Sequence, residues 1–199
     1  MGTLKVMLFP EVAPKAVENF VTHAKEGYYN GLKFYKVQKN KCLYTGDPKG
    51  DGTGGESVFQ DESGRVQPFE DEYSMDLWHF NGALSMVNDG AEDNNGSRFC
   101  FVQSSSVNAD MLLEMKNIGF PSNVILKYAG VGGAPWLDTK QVVFAQVYDG
   151  LDVLDAIAAV KVDENGVPKE NVVINSMSVE KYSCDCGSEV FLVRALWSL

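Results

Sequence analysis

The side chains able to do chemistry are few, and their spacing excludes more than it offers. Only two histidines are present, His23 and His79. Neither neighbours a serine in a nucleophile-elbow pattern, so a Ser-His-Asp hydrolase is not expected. Both read as structural histidines that satisfy a hydrogen bond. The glycine cluster at residues 50–55 invites a phosphate-loop reading, but it lacks the Gly-Lys-Ser/Thr ending and no helical pattern follows it. A tight turn needing positive φ is the expected form, and an unrelated barrel binding a small anion there is the minor alternative. Asp89, Glu92, Asp93, Asn94 and Asn95 do not match EF-hand spacing and read as an acidic turn. Cys184 and Cys186 form a C-x-C pair, two thiols short of a tetrahedral site, so no metal is expected. Cys42 and Cys100 each lie inside an apolar segment, and four cysteines so placed read as reduced thiols rather than a disulfide framework.

Such residues need a scaffold, and the bulk composition supplies one. With 199 residues, 45% of them hydrophobic, the chain can bury a sizeable core in one domain. A formal net charge of -10, with no cluster of Lys and Arg, argues against nucleic acid as a partner. The first residues lack the basic and apolar segments of a leader peptide, and no apolar run approaches the ~18 to 20 residues that span a bilayer. The expectation is a cytoplasmic protein with no membrane role.

Leu4, Val6 and Leu8 alternate with Lys5, Met7 and Phe9, the period of a strand with one buried face. Ala13, Val17, Phe20, Val21 and Ala24 share one helical face, with Pro14 in the first turn and Gly27 at the stop. Short strands are then expected at 33–37, 42–45, 83–87, 99–102 and 142–147, and a closing strand at 172–179. Leu151, Leu154, Ile157 and Ala158 mark a second helix. Many short strands and two helices far apart predict a mainly β fold: a closed eight-stranded antiparallel barrel capped by two α-helices. Residues 103–135, with a short helical stretch at 111–115, read as an insertion within a domain spanning 1–182. Residues 183–199 form a C-terminal extension that either packs on the barrel or trails as a tail.

On this frame, several segments resemble the cyclophilin family of peptidyl-prolyl cis-trans isomerases over about residues 3–182. The first helix motif is Ala13-Pro14-Lys15-Ala16-Val17-Glu18-Asn19-Phe20, and Gly27-Tyr28-Tyr29 leads into Leu32-Lys33-Phe34-Tyr35-Lys36-Val37. Gly52-Thr53-Gly54-Gly55-Glu56-Ser57, Phe69-Glu70-Asp71-Glu72, Leu84-Ser85-Met86-Val87-Asn88, Asn95-Gly96-Ser97-Arg98-Phe99 and Trp136-Leu137-Asp138 follow in the family's order. The resemblance implies rotation about X–Pro bonds, against a resonance barrier of ~18 to 20 kcal/mol. No bond breaks, so no nucleophile, metal or cofactor is required. An apolar proline pocket and a donor aimed at the twisting amide suffice. Proline-containing peptides and unfolded proteins are the implied partners.

The resemblance also shows where this chain departs. The family's His-Arg pair is Tyr35-Lys36, which replaces a planar guanidinium with a flexible point charge. The family's bracing glutamine corresponds to Tyr44 and a groove glutamine to Arg98, so Arg98 is a candidate to supply the missing guanidinium. The competing reading pairs Arg98 with acidic neighbours such as Glu92 or Asp93. The family's bulky pocket residues correspond to Lys41, Cys42 and Cys100, and its histidine to Gln141. Candidate catalytic residues are therefore Lys36, Arg98 and Tyr44. Candidate substrate contacts are Tyr35, Cys42, Val87, Asn88, Cys100, Trp136, Leu137 and Gln141. If Cys42 and Cys100 share the pocket, a redox-sensitive pair competes with two small buried hydrophobes, and the second is favoured. A non-catalytic module that binds proline-containing peptides is the alternative function.

Overall fold

A computed structural model describes residues 1–183 and 189–198. The C-x-C pair, Cys184 and Cys186, lies outside the described residues. Strand β1 (Gly2–Leu8) turns Leu4, Val6 and Leu8 into the core, as its alternation predicts. Helix α1 (Pro14–Lys25) begins on Pro14, buries Ala16, Val17, Phe20, Val21 and Ala24, and is followed by Gly27 at φ 72°. No side chain at its own N-cap helps it. Instead Glu72, from a distant loop, accepts hydrogen bonds from the Lys15 and Ala16 amides at 3.0 and 2.9 Å. A carboxylate there meets both the orphan N–H groups and the positive end of the helix dipole.

The remaining elements are β2 (Lys36–Gln38), β3 (Lys41–Thr45), β4 (Ala83–Met86), β5 (Phe99–Gln103), α2 (Ala109–Asn117), α3 (Ser122–Val131), β6 (Val143–Asp149), α4 (Leu151–Ala158), β7 (Val173–Ser183) and β8 (Glu189–Ser198). All eight strands join one antiparallel sheet in the order β2-β3-β5-β4-β6-β1-β8-β7. The mainly β architecture holds, but its closure is looser than expected. The sheet's ends meet through one bridge, Lys33 to Val173, and backbone bonds between residues 31–34 and 172–174. It is a curled half-barrel. Residues 33–35, expected as strand, serve this seam, and β2 is correspondingly short.

One further correction concerns the helices, and one open alternative is decided at the end of the chain. Four α-helices, not two, accompany the sheet among the described residues, because the insertion folds into α2 and α3. Sequence periodicity marked only the centre of α2. Of the alternatives for the chain after Tyr182, residues 189–198 take packing: β8 sits between β1 and β7, and β7 itself runs through position 182. Its Val193, Ala195 and Trp197 are buried. The Trp197 ring centroid is 4.8 Å from that of Phe34 and 5.9 Å from that of Phe101. A second aromatic group inside the sheet centres on Phe20, within 5.3 Å of Tyr29, Phe99 and Phe144.

The insertion has a small core of its own, made of Trp78, Phe80, Met115, Val124 and Tyr128. It returns to the sheet through Gly133 (φ 140°), where a Cβ would lie 2.3 Å from the His79 carbonyl oxygen, so only glycine permits this approach.

Candidate active site

The main groove, about 480 Å³, opens beside β2, β3 and β5. Its lining includes Tyr35, Lys36, Tyr44, Val87, Arg98 and Gln141, six of the eleven candidates named from sequence. Strand pairing explains the first group: Lys36 faces Tyr44 across β2 and β3, and Tyr44 faces Cys100 across β3 and β5. Arg98 immediately precedes β5 and is largely buried, at 8% exposure.

Arg98 is held in place. Its Nη1 donates to the Gly52 carbonyl and to Asp89 Oδ1 (3.0 Å), and its Nη2 donates to Asp89 Oδ2 (2.5 Å). The acidic partner is therefore Asp89 rather than Glu92 or Asp93. Burial works against the guanidinium's charge, but the Asp89 carboxylate outweighs it and its pKa is raised, so Arg98 stays cationic at every working pH. A bidentate pair fixes orientation as well as charge. Three of its five N–H donors are engaged among the described residues. Lys36 differs: its Nζ lies 5.9 Å from the Tyr44 ring centroid, with no ion pair to hold it among the described residues. The groove thus carries one fixed and one flexible cation. Tyr35 and Tyr44 wall it as neutral phenols, because burial pushes both hydroxyls above their ordinary range.

Cys42 and Cys100 lie beneath this lining, both buried, in a cluster with Ala83, Val87, Val102, Ala134 and Val143. Leu137 and Tyr44 pack against the same cluster. The two thiols are free and interact. The Cys100 thiol beside it holds Cys42 below its ordinary pKa, while Cys42 and burial push Cys100 well above. Cys100 approaches Gln141 Oε1 at 4.0 Å.

The other candidates sit elsewhere. Asn88 is buried, and its Nδ2 donates to the Lys140 carbonyl (2.9 Å) and Asp71 Oδ1 (3.3 Å), tying together two loops behind the groove. Trp136, in the short 3-10 turn Pro135–Leu137, is 37% exposed and borders cavities on the insertion side rather than the groove.

Sequence reasoning missed Asp51, Gly52, Asp89, Gly90, Asn165 and Val167, all of which line the groove. The last two arrive on a turn that Asp163 organises by accepting from the Asn165 and Val167 amides, and Val37 donates to the Gly166 carbonyl at 2.7 Å. The Asn165-Gly166 dipeptide is a turn signal, but its distance from β2 along the chain hides where the turn lands. The glycine-rich loop is a tight turn, with Gly50, Gly52 and Gly55 at positive φ. Asp47 already takes the amides of Lys49, Asp51 and Gly52, which removes the donors an anion would need.

An unforeseen chain of side chains lies behind the groove. Ser85 Oγ is 2.8 Å from His79 Nε2, His79 Nδ1 is 2.8 Å from Asp138 Oδ1, and Tyr128 donates to Asp138 Oδ2 at 2.7 Å. The order is that of a hydrolytic triad, yet Ser85 is fully buried and cannot meet a substrate. The four residues instead join strand β4, the loop at 79, the turn at 138 and helix α3. His79 is thus a structural histidine, as is His23, whose Nε2 is 3.0 Å from the Glu56 carbonyl oxygen.

The chain is similar to known proteins over most of its length. The family model for "Cyclophilin type peptidyl-prolyl cis-trans isomerase/CLD" matches residues 1–179. Proteins named peptidyl-prolyl cis-trans isomerase from Staphylococcus saprophyticus and Staphylococcus aureus are each 43% identical to the chain. The first match covers 89% of this chain and 87% of the relative, and the second 90% and 88%. A crystal structure of a Cryptosporidium parvum cyclophilin-type isomerase, obtained in the presence of the dipeptide Ala-Pro, superposes with a TM-score of 0.68 at 26% identity. That match covers 88% of this chain and 96% of the other. No described helix is long and apolar enough to cross a membrane. With a family model matching residues 1–179 and relatives 43% identical over nearly their whole length, the protein belongs to the cyclophilin-type peptidyl-prolyl cis-trans isomerase family and is an isomerase of X–Pro bonds.

Proposed function

We propose that Arg98 is the electrostatic donor of this isomerase and that Lys36 plays a secondary part. The observation that carries this reading is the clamp of Asp89 and Gly52 on a guanidinium lining the groove. As the X–Pro bond twists, conjugation is lost and the prolyl nitrogen gains basicity. A donor already oriented toward it lowers the barrier without reorganising at the moment of reaction. A flexible ammonium must first be ordered, which costs side-chain entropy. Arg98 thereby restores, from a neighbouring position in the sheet, the guanidinium that position 36 lacks.

Tyr44 positions this pair of cations between β2 and β5, and Tyr35, Val87 and Gln141 contact the substrate chain. Cys42, Cys100 and Leu137 form the apolar bed below the proline ring, smaller than the family's phenylalanine and methionine would make it. Rate is therefore sacrificed on pocket fit more than on charge. The Ala-Pro dipeptide present with the Cryptosporidium parvum isomerase in its crystal supports proline-containing peptides as ligands here. Proline-containing segments of folding proteins are the proposed clients, and free Cys42 and Cys100 suit a reducing, cytoplasmic setting.

An amide NMR titration with Ala-Pro tests the location of binding. Shifts are expected at Gly52, Val87, Asp89 and Asn165. Shifts confined to residues outside this groove would overturn the assignment.

A further inference from the structure

The groove does not end at the proline site. Gln141 lines the main groove and also a second cavity of about 90 Å³, whose walls include Met75, Trp78 and Val143. Asp138 and Thr139 line that cavity and also a third, of about 280 Å³, bordered by Ile118, Phe120 and Trp136. Three depressions that share lining residues in succession form a row, or path, from Arg98 to the foot of the helical insertion.

Along this path Met75 is 63% exposed, Ile118 67% and Trp136 37%, which leaves apolar side chains available to a bound chain. The floor is rigid. The buried Ser85–His79–Asp138–Tyr128 chain fixes the turn between the second and third cavities to β4 and α3. Trp78 and Phe120, with ring centroids 5.3 Å apart, bind the loop before β4 to the end of α2. A preorganised row of depressions adjoining a peptide groove suits an extended segment of the same polypeptide.

We propose that this path is a secondary binding track for apolar residues flanking the substrate proline, so that the protein selects proline-containing segments of unfolded or extended chains over isolated Xaa-Pro units. The proposal rests on the assignment of the groove to the prolyl residue. The track would make affinity depend on flank composition while the chemistry stays at Arg98. The helical insertion would then act as a specificity element that the barrel alone does not contain.

The test compares three blocked peptides: Ala-Ala-Pro-Ala, the same core extended by Leu-Phe-Leu-Phe on either flank, and the core extended by Gly-Ser-Gly-Ser. Affinity is read by calorimetry, isomerisation by exchange NMR, and burial of the exposed indole Trp136 by its fluorescence. One apolar-flanked peptide should bind about tenfold tighter than its Gly-Ser counterpart, equivalent to about 1.4 kcal/mol. It should also blue-shift the emission. In the double variant Met75→Ser/Ile118→Ser the gain and the shift should disappear, while turnover of the short peptide stays at the wild-type rate. Equal affinities for the apolar and Gly-Ser flanks, or a gain that survives both substitutions, would overturn the track. Failure of the isomerase mechanism reads differently, as absent turnover of the short peptide with the flank preference intact.

Discussion

At the scale of single residues, the site is a problem of where one positive charge is fixed. Asp89 gives Arg98 both its orientation and its charge partner. Asp89→Asn keeps one acceptor and loses the ion pair, so kcat/KM for an Ala-Pro peptide should fall roughly tenfold, short of the ~10²-fold typical of deleting a preorganised donor. Arg98→Lys should recover little, because an ammonium cannot reproduce the bidentate clamp. Stopped-flow or exchange NMR kinetics of the two variants checks this, and full activity in Arg98→Lys would show that charge alone suffices. Lys36, Arg98, Tyr44, Tyr35, Val87 and Gln141 were named from the family resemblance, and the fold gathers them on one groove, where Lys36 pairs with Tyr44, Tyr35 donates to the Tyr44 carbonyl and Val87 donates to the Arg98 carbonyl. Asn88 and Trp136, named from the same resemblance, do not line this groove. Their neighbours in sequence line or underlie the groove, but Asn88 finds better hydrogen bonds behind it and Trp136 turns on a 3-10 helix. Asp89 carried no signal, since its role depends on a fold that brings residue 98 beside it.

At the scale of elements, α1 depends on partners far away in sequence. Glu72→Ala removes acceptors for two helix N–H groups and a favourable charge at the N-terminus, so it should destabilise the protein by about 1 to 2 kcal/mol. Urea unfolding measures this, and no change in midpoint would contradict the clamp. His23, on the buried face of the same helix, adds a pH dependence. Burial depresses its pKa below 6.5, and its Nδ1 has no partner among the described residues. The unfolded chain therefore binds a proton that the folded chain resists. Stability must fall as pH drops below about 6.5, until the lower folded pKa is reached. His23→Gln should flatten the thermal midpoint between pH 7.5 and 5.5, a window set by that depression, and an unchanged slope would assign the titration elsewhere. The helix itself was legible from its apolar face and its Pro14 and Gly27 boundaries. The Glu72 contact was not, because it spans more than fifty residues.

At the scale of the whole molecule, the sheet is completed by the last described strand. β8 pairs along both β1 and β7 and buries Trp197 against Phe34 and Phe101. Removing residues 184–199 should therefore lower stability severely, and Trp197→Ala alone should cost about 3 to 5 kcal/mol by chemical denaturation. Melting unchanged by the truncation would mean that the sheet does not need β8 between β1 and β7. The apolar content of residues 190–197 hinted at packing, but sequence cannot show that a strand intercalates between two others. The looser closure was hidden for a similar reason. It depends on residues 31–34 meeting 172–174, a contact with no local periodicity to announce it.

An isomerase with Lys36 in place of the family's arginine should draw its electrostatic donor from Arg98. Exchange NMR between the cis and trans forms of an Ala-Pro peptide tests this most directly, with the wild-type protein, Lys36→Ala and Arg98→Ala compared under one condition. Wild-type protein should accelerate exchange, Lys36→Ala should retain most of that rate, and Arg98→Ala should lose about a hundredfold. Exchange undiminished in Arg98→Ala, or line broadening from binding without faster exchange in the wild type, would contradict the account.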